Sequence, residues 1–190
     1  VVMAQQGKYE DALAPLLTAQ ALGRSAEKGE RFENVTNLNV ARTYFGAGNY
    51  PEAVQYYAKV DRGSDFWPRA WFEKAWAHFR ANDINGALSA LMVHESPFFE
   101  PWYYNPEADL LRAYSYFLMC KFKDATKEIE AFEKRYTPLQ GELATIMTSY
   151  SPKDGWDDAL ALTRDEDTTL PIGVIGDFRR DERLLGAIDA

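Results

Sequence analysis

The chain has 190 residues, 46% of them hydrophobic and 14% aromatic, a composition typical of a folded domain rather than a disordered segment. Its net charge is −8 and no basic stripe runs along it, which argues against nucleic acid and anionic membrane surfaces as direct partners. No apolar run approaches the ~20 residues that a membrane-spanning helix requires.

Alanines recur along the chain at a fixed interval. They form three pairs twelve residues apart: Ala41 with Ala53, Ala75 with Ala87, and Ala113 with Ala125. Two helices that cross closely need a small side chain at the contact, and alanine supplies it without the entropic cost of glycine. Each pair therefore predicts one helix-turn-helix hairpin.

A turn signal lies inside each of these pairs, at Gly48–Ala53, Asn82–Ala87 and Cys120–Ala125, and an earlier copy lies at Gly7–Ala12. Gly and Asn tolerate the left-handed conformation that ends a helix, and a proline or an acidic residue suits the first turn of the next one. Cys120 stands where the other copies have Gly or Asn. We interpret it as a small residue at a helix end, the alternative being a reactive thiol.

These residues resemble the signature of the tetratricopeptide repeat, in which a bulky, a small and an aromatic residue on a first helix precede Gly-x-Tyr-x-x-Ala at the second. The first-helix places fall on Asn37, Ala41 and Tyr44, on Trp71, Ala75 and His78, and on Asp109, Ala113 and Tyr116. Successive second-helix alanines lie 41, 34 and 38 residues apart, against about 34 in an ideal repeat. The resemblance implies an all-α, right-handed superhelix of helix-turn-helix repeats.

The predicted organisation is one continuous domain. Residues 1–135 hold three complete repeats after one that lacks its start, because Val1 falls midway through a first helix, so we expect a longer parent protein. Residues 136–190 are either a degenerate fifth repeat or a helical cap. Tyr136–Pro138 is interpreted as a helix break, Leu139–Tyr150 as a further helix, and Pro171 as the start of a final helix.

The first helices of such repeats line a concave groove, and the groove face follows the spacing i, i+3, i+7, i+10. The predicted groove residues are Arg42, Phe45, Arg69, Phe72, Trp76, Phe79, Arg80, Tyr114 and Phe117, and the same spacing includes Val35, Leu38, Glu107 and Leu110. Aromatic residues and arginine dominate binding hot spots. The alternatives are that the aromatics are core and that the arginines extend to solvent along them.

The connector Ser96–Pro106 holds five aromatic residues among three prolines, too apolar for an ordinary solvated loop. We expect it to fold over the stack. The alternative is an aromatic lip beside the groove.

Catalytic motifs are missing from the sequence, which has only His78 and His94, no paired cysteines and no glycine-rich phosphate loop. His78 takes a packing place of the repeat and is interpreted as structural. We therefore expect a non-enzyme with no metal and no cofactor, whose groove binds a segment of another protein. The alternative is a structural module that assembles homo-oligomers of its parent.

Two further expectations concern the setting. The groove set has no lysine or asparagine, so the carboxylate-gripping subtype of this family that binds chaperones is not supported. The resemblance slightly favours a periplasmic or cell-envelope location over a cytoplasmic one. The single cysteine cannot form a disulfide within the chain, so the sequence does not indicate whether the compartment is oxidising.

Overall fold

The computed structural model describes residues 6–23, 29–93, 105–149 and 174–176. Within these ranges the chain is all-α, as predicted, with no strand. The helices are α1 (Tyr9–Gly23), α2 (Gly29–Gly46), α3 (Tyr50–Tyr57), α4 (Trp67–Arg80), α5 (Ile84–Leu91), α6 (Pro106–Leu118) and α7 (Phe122–Ser149). Each packs against the next helix in the chain, and α4 also contacts α6. None of these helices is long and apolar enough to cross a bilayer.

The turns between paired helices share one backbone conformation. The backbone angle φ is positive at all four predicted positions, with values of 77° at Gly7, 78° at Gly48, 62° at Asn82 and 58° at Cys120. In each of the last three turns, the left-handed residue donates to the carbonyl three residues back and its successor donates to the carbonyl five residues back. This is the Schellman ending of a helix, and it confirms the predicted turns at these positions.

The paired alanines are buried, as their spacing predicts. On the first helices Ala41 and Ala75 are 0% exposed, and on the second helices Ala53 and Ala87 are also 0% exposed. The pair on α6 and α7 is buried as well. A larger side chain at any of these places would separate the two helices of a hairpin.

Two clusters of buried side chains form the core between α2 and α6. One joins α2, α3 and α4 around Leu38, Tyr57 and Trp67, and the other joins α4, α5 and α6 around Phe72 and Leu91. Trp71 packs against both clusters, so α4 is the helix that the two share.

Polar residues take the place on α2 and α6 that Trp71 has on α4: buried Asn37 and half-buried Asp109. Asn37 is 1% exposed, and it accepts a hydrogen bond from Gln20 Nε2 at 2.5 Å while its own Nδ2 donates to the Lys59 carbonyl at 3.4 Å. Partners of this kind offset the cost of removing an amide from water. Buried polar groups therefore replace apolar packing at this position.

Asp109, the second replacement, joins α6 to the middle of α7. It accepts from Arg112 Nη2 at 3.0 Å, from Arg135 Nη1 at 3.1 Å and from the Tyr136 hydroxyl at 2.8 Å. Arg112, which is buried, also donates through Nε to Glu128 at 2.8 Å. Burial and the Asp109 carboxylate raise the pKa of Tyr136.

The predicted helix break at Tyr136–Pro138 is wrong, because α7 continues through Pro138 to Ser149. An interior proline costs about 3 kcal/mol. Just before the proline, the Tyr136 hydroxyl donates to the Asp109 carboxylate, and a hydrogen bond to a charged group contributes about 1.5–3 kcal/mol. Half-exposed Arg135 also donates to Asp109 and adds up to about 1 kcal/mol. Tertiary contacts thus offset the local penalty, and the helix crosses the predicted boundary between residues 135 and 136.

The second half of α7 meets one further segment. Leu139 packs with Val174, and Tyr136, Leu143 and Ile175 surround them. Residues 174–176 are helical, within the predicted final helix. The rest of the predicted fifth repeat or cap, the connector from Ser96 to Tyr104 and His94 lie outside the described residues.

His78 closes the turn between α4 and α5. Its Nδ1 lies 2.8 Å from Asp83 Oδ2, and the other oxygen of Asp83 accepts from the Gly86 amide at 2.9 Å. A Cβ atom added at Gly86 would overlap both side chains. The hydrogen bond from the Gly86 amide lowers the pKa of Asp83 most, and the contact with His78 lowers it further. His78 therefore has a structural contact, in keeping with the interpretation from sequence.

Replacing Cys120 with glycine is expected to raise the free energy of unfolding by about 0.5–1 kcal/mol. A non-glycine residue in the left-handed conformation destabilises the folded state by about 1–2 kcal/mol, and glycine removes this cost. Glycine also makes the unfolded chain more flexible, which lowers the gain by about 0.4–1 kcal/mol. Urea denaturation measures the change. Cys120→Ala is the control, since it also removes the thiol but keeps a Cβ; an equal gain in that variant would contradict the backbone explanation.

Replacing Asp83 with alanine is expected to lower the free energy of unfolding by about 1 kcal/mol near neutral pH, the usual cost of removing an acidic helix cap. Because the folded pKa of Asp83 is lowered, its charge contributes fully above the ordinary value of 3.8 and this contribution is lost as the pH falls through the folded pKa.

The difference between the native chain and Asp83→Ala should therefore narrow in strong acid. Urea denaturation at about pH 7 and about pH 3 measures it. Asp83→Asn is the control, because it keeps a capping oxygen without the charge. A difference that widens in acid would contradict this account.

Candidate functional site

The predicted groove residues lie on the three first helices, α2, α4 and α6. Among the described residues, side-chain hydrogen bonds join neighbouring first helices at two places: Arg42 of α2 meets Glu73 of α4, and Trp76 of α4 meets Glu107 of α6. Each contact spans 31 residues. Arg42 and Trp76 directly follow the paired alanines Ala41 and Ala75, so equivalent positions make the contacts that tie one first helix to the next.

Glu73 is the polar centre between α2 and α4. Its carboxylate accepts from Arg42 Nε at 2.7 Å and Nη2 at 2.5 Å, and from Arg69 Nε at 3.1 Å. The hydroxyl of buried Tyr57 donates to the same carboxylate, and burial followed by the charge of Glu73 raises the pKa of Tyr57. Two guanidinium groups and one carboxylate leave this cluster with a net charge of +1.

Arg80 lies near the C-terminal end of α4, beside the turn that joins α2 to α3. Its Nε donates to the Tyr50 hydroxyl at 3.3 Å, and its guanidinium lies 5.7 Å from the centre of that ring. Phe45 of α2 meets the edge of the same ring, with centroids 5.5 Å apart. All three predicted arginines therefore contact residues on α2, α3 or α4.

Aromatic side chains continue from α4 across α6 to the start of α7. Neighbouring ring centroids are 5.6 Å apart for Trp76 and Phe79, 5.5 Å for Phe79 and Tyr114, 6.4 Å for Tyr114 and Phe117, and 5.7 Å for Phe117 and Phe122. Ring pairs at these separations attract each other beyond their shared burial. We call these five residues the aromatic row.

Exposure increases along the aromatic row. Trp76 and Phe79 are half-buried, whereas Tyr114, Phe117 and Phe122 are 52%, 53% and 56% exposed. Leu110 and Leu118 of α6 are also exposed. Adjacent large apolar side chains left open to water mark a candidate interaction surface.

Two residues of the predicted groove pattern are core instead. Leu38 is 5% exposed in the first cluster, and Phe72 is 9% exposed in the second. Both lie three residues before the paired alanine of their helix, where the neighbouring helices cover them. Phe45 is half-buried between the first cluster and Tyr50. On α2 and α4 the apolar side chain three residues before the alanine is therefore core, whereas Leu110 at the equivalent place of α6 is 49% exposed.

Sequence reasoning missed three members of this surface: Tyr50, Phe122 and Glu73. Tyr50 and Phe122 occupy the aromatic place of the turn signal, which was interpreted as a hairpin signature only. They follow a tight turn directly, so they lie beside the last turn of the first helix. The turn signal in the sequence could have predicted this position. Glu73 lies two residues before Ala75, outside the spacing used for the groove face.

Titratable groups within the described ranges do not form a metal site, since no three His, Cys, Asp or Glu residues are grouped there. Glu73 is bound by Arg42, Arg69 and Tyr57, and His78 is bound by Asp83. The chemistry offered by this surface is thus aromatic contact and arginine hydrogen bonding.

We compared the chain with protein-family models, with curated proteins and with solved structures, and none of the three comparisons found a match.

Replacing Glu73 with glutamine is expected to lower the free energy of unfolding by about 2 kcal/mol, because two arginines and a buried tyrosine lose a shared anionic acceptor. Urea denaturation measures the loss. Glu107→Gln is the matched control, since exposed Glu107 accepts one hydrogen bond from Trp76, and it should cost less than about half as much. Equal losses would contradict a central role for Glu73.

Proposed function

We propose that the chain forms a right-handed superhelix of tetratricopeptide-like repeats and acts as a non-catalytic protein-interaction module. Three observations support the repeat architecture: the shared left-handed turns, the buried alanine pairs and the contacts between successive first helices. In this arrangement α2, α4 and α6 line a concave groove, and the protein serves as an adaptor or scaffold.

The aromatic row is the observation that carries the interaction role. It forms one continuous apolar surface over two first helices and the following turn, with three members more than half exposed. Burying such rings releases much water while freezing few torsions, which is why aromatic residues dominate binding hot spots. Exposed arginines beside them add directional hydrogen bonds.

Self-association is the second candidate function, and a separate observation favours it. Ile129 of α7 and Leu22 and Phe32 near the other end of the described helices are exposed apolar side chains outside the predicted groove. A second copy of the chain would bury them. In that case the module organises copies of its parent protein instead of capturing a different partner.

The interaction role is tested by affinity capture from native extract, comparing the native chain with a Tyr114→Ala, Phe117→Ala variant. Both residues are more than half exposed, so the variant should keep its helicity in circular dichroism. We expect at least one protein to be retained by the native chain and lost by the variant, because the variant removes two rings of the aromatic row.

Leu22→Ala with Phe32→Ala is the control, since it removes exposed apolar side chains elsewhere and should keep the partner. Sedimentation of the purified chain over a range of concentrations tests the alternative. Identical captured proteins for all three baits, together with a size that grows with concentration, would exclude the groove role and favour self-association.

A further inference from the structure

The surface that holds the predicted groove residues differs in charge from the rest of the chain. It carries Arg42, Arg69 and Arg80 against Glu73 and Glu107, a net charge of +1, while the whole chain carries −8. Acidic residues therefore dominate elsewhere, and this surface is locally positive. Such a difference steers a negatively charged partner to the surface and disfavours a basic one.

The two glutamates do not cancel the arginines. Both oxygens of Glu73 are occupied by hydrogen bonds from Arg42 and Arg69, and two guanidinium groups share this single carboxylate. Arg69 meets Glu73 through Nε, and its side chain is 65% exposed. A second carboxylate can therefore approach the outer nitrogens of Arg69, which are arranged for two parallel hydrogen bonds.

Arg80 adds a second place for an anion. It contacts the hydroxyl and the ring of Tyr50. The residue is exposed, and its stem is held beside the α2–α3 turn by that contact. A positioned guanidinium loses less conformational freedom on binding than one that moves freely.

On α4 the arginines and the aromatic row share one face, with the arginines on its α2 and α3 side and the rings on its α6 side. Arg69 and Arg80 contact residues on the side of α2 and α3 or on α4 itself, whereas Phe79 contacts Tyr114 on α6. Packed neighbouring helices have axes about 8–10 Å apart, and an extended segment covers about 3.3 Å per residue. A segment lying across α4 thus spans both sides within about three residues.

We propose that the partner is a protein segment in which an Asp or Glu side chain lies about three residues from a bulky apolar side chain. The carboxylate binds Arg69 or Arg80, and the apolar side chain packs on Phe79, Tyr114 and Phe117. This inference rests on the proposed interaction role and names the chemistry of the partner.

The test is selection of a random library of short peptides displayed on phage, with the immobilised chain as bait. Three further baits are used: Arg69→Ala with Arg80→Ala, Tyr114→Ala with Phe117→Ala, and a charge-matched control with Lys127→Ala and Lys134→Ala on α7. All substituted side chains are exposed, and circular dichroism checks that every bait is folded.

We expect the native chain and the lysine control to enrich peptides with acidic residues near aromatic or large aliphatic residues. The arginine variant should lose the acidic enrichment and bind the selected peptides about fivefold or more weakly, because neither arginine is left to bind the carboxylate of the peptide. The aromatic variant should lose the apolar enrichment.

Two other results are distinguishable. If peptides bind in a way that depends on Tyr114 and Phe117 but show no acidic enrichment, or bind the arginine variant unchanged, the acidic-segment inference is overturned and the interaction role stands. If no peptide is enriched, or all four baits enrich the same peptides, the interaction role itself fails.

Discussion

The left-handed residue at the end of each first helix is the constraint on which the rest of the structure depends. It reverses the chain within a few residues, and the alanine five residues later then lies in the contact between the two helices. The turns at Gly48, Asn82 and Cys120 are closed by the same pair of hydrogen bonds, so the hairpins that contain them have similar geometry. Repetition of that geometry brings α4 beside α6 and extends the aromatic row from one first helix to the next.

The hairpins were predictable because their determinants are local. Turn residues and paired alanines lie within twelve residues of each other, so the sequence alone specifies them. The continuity of α7 was not predictable in this way, since the local signal at Pro138 favours a break. Contacts from Asp109, more than twenty residues earlier, offset that signal. A pattern of neighbouring residues contains no information about a partner at that distance.

The candidate site was predictable in part for the same reason. Helical spacing identified the surface of each first helix and included Trp76, Phe79, Tyr114 and Phe117, which the structure places in contact. The same spacing included Phe72, because it does not say how far a neighbouring helix extends over that surface. Arg42 was identified without its acceptor Glu73, which lies on a different helix, 31 residues away.

Packing between consecutive helices also has a kinetic consequence. Nearly all the interhelical packing of the described residues joins elements adjacent in the chain, so little loop entropy is lost before a favourable contact forms. Chains with such local contacts fold quickly, and their cooperativity passes from neighbour to neighbour rather than through a single nucleus. The two core clusters that share α4, together with the Arg42–Glu73 and Trp76–Glu107 hydrogen bonds, link successive hairpins, so the unfolding of one hairpin is transmitted to the next through them.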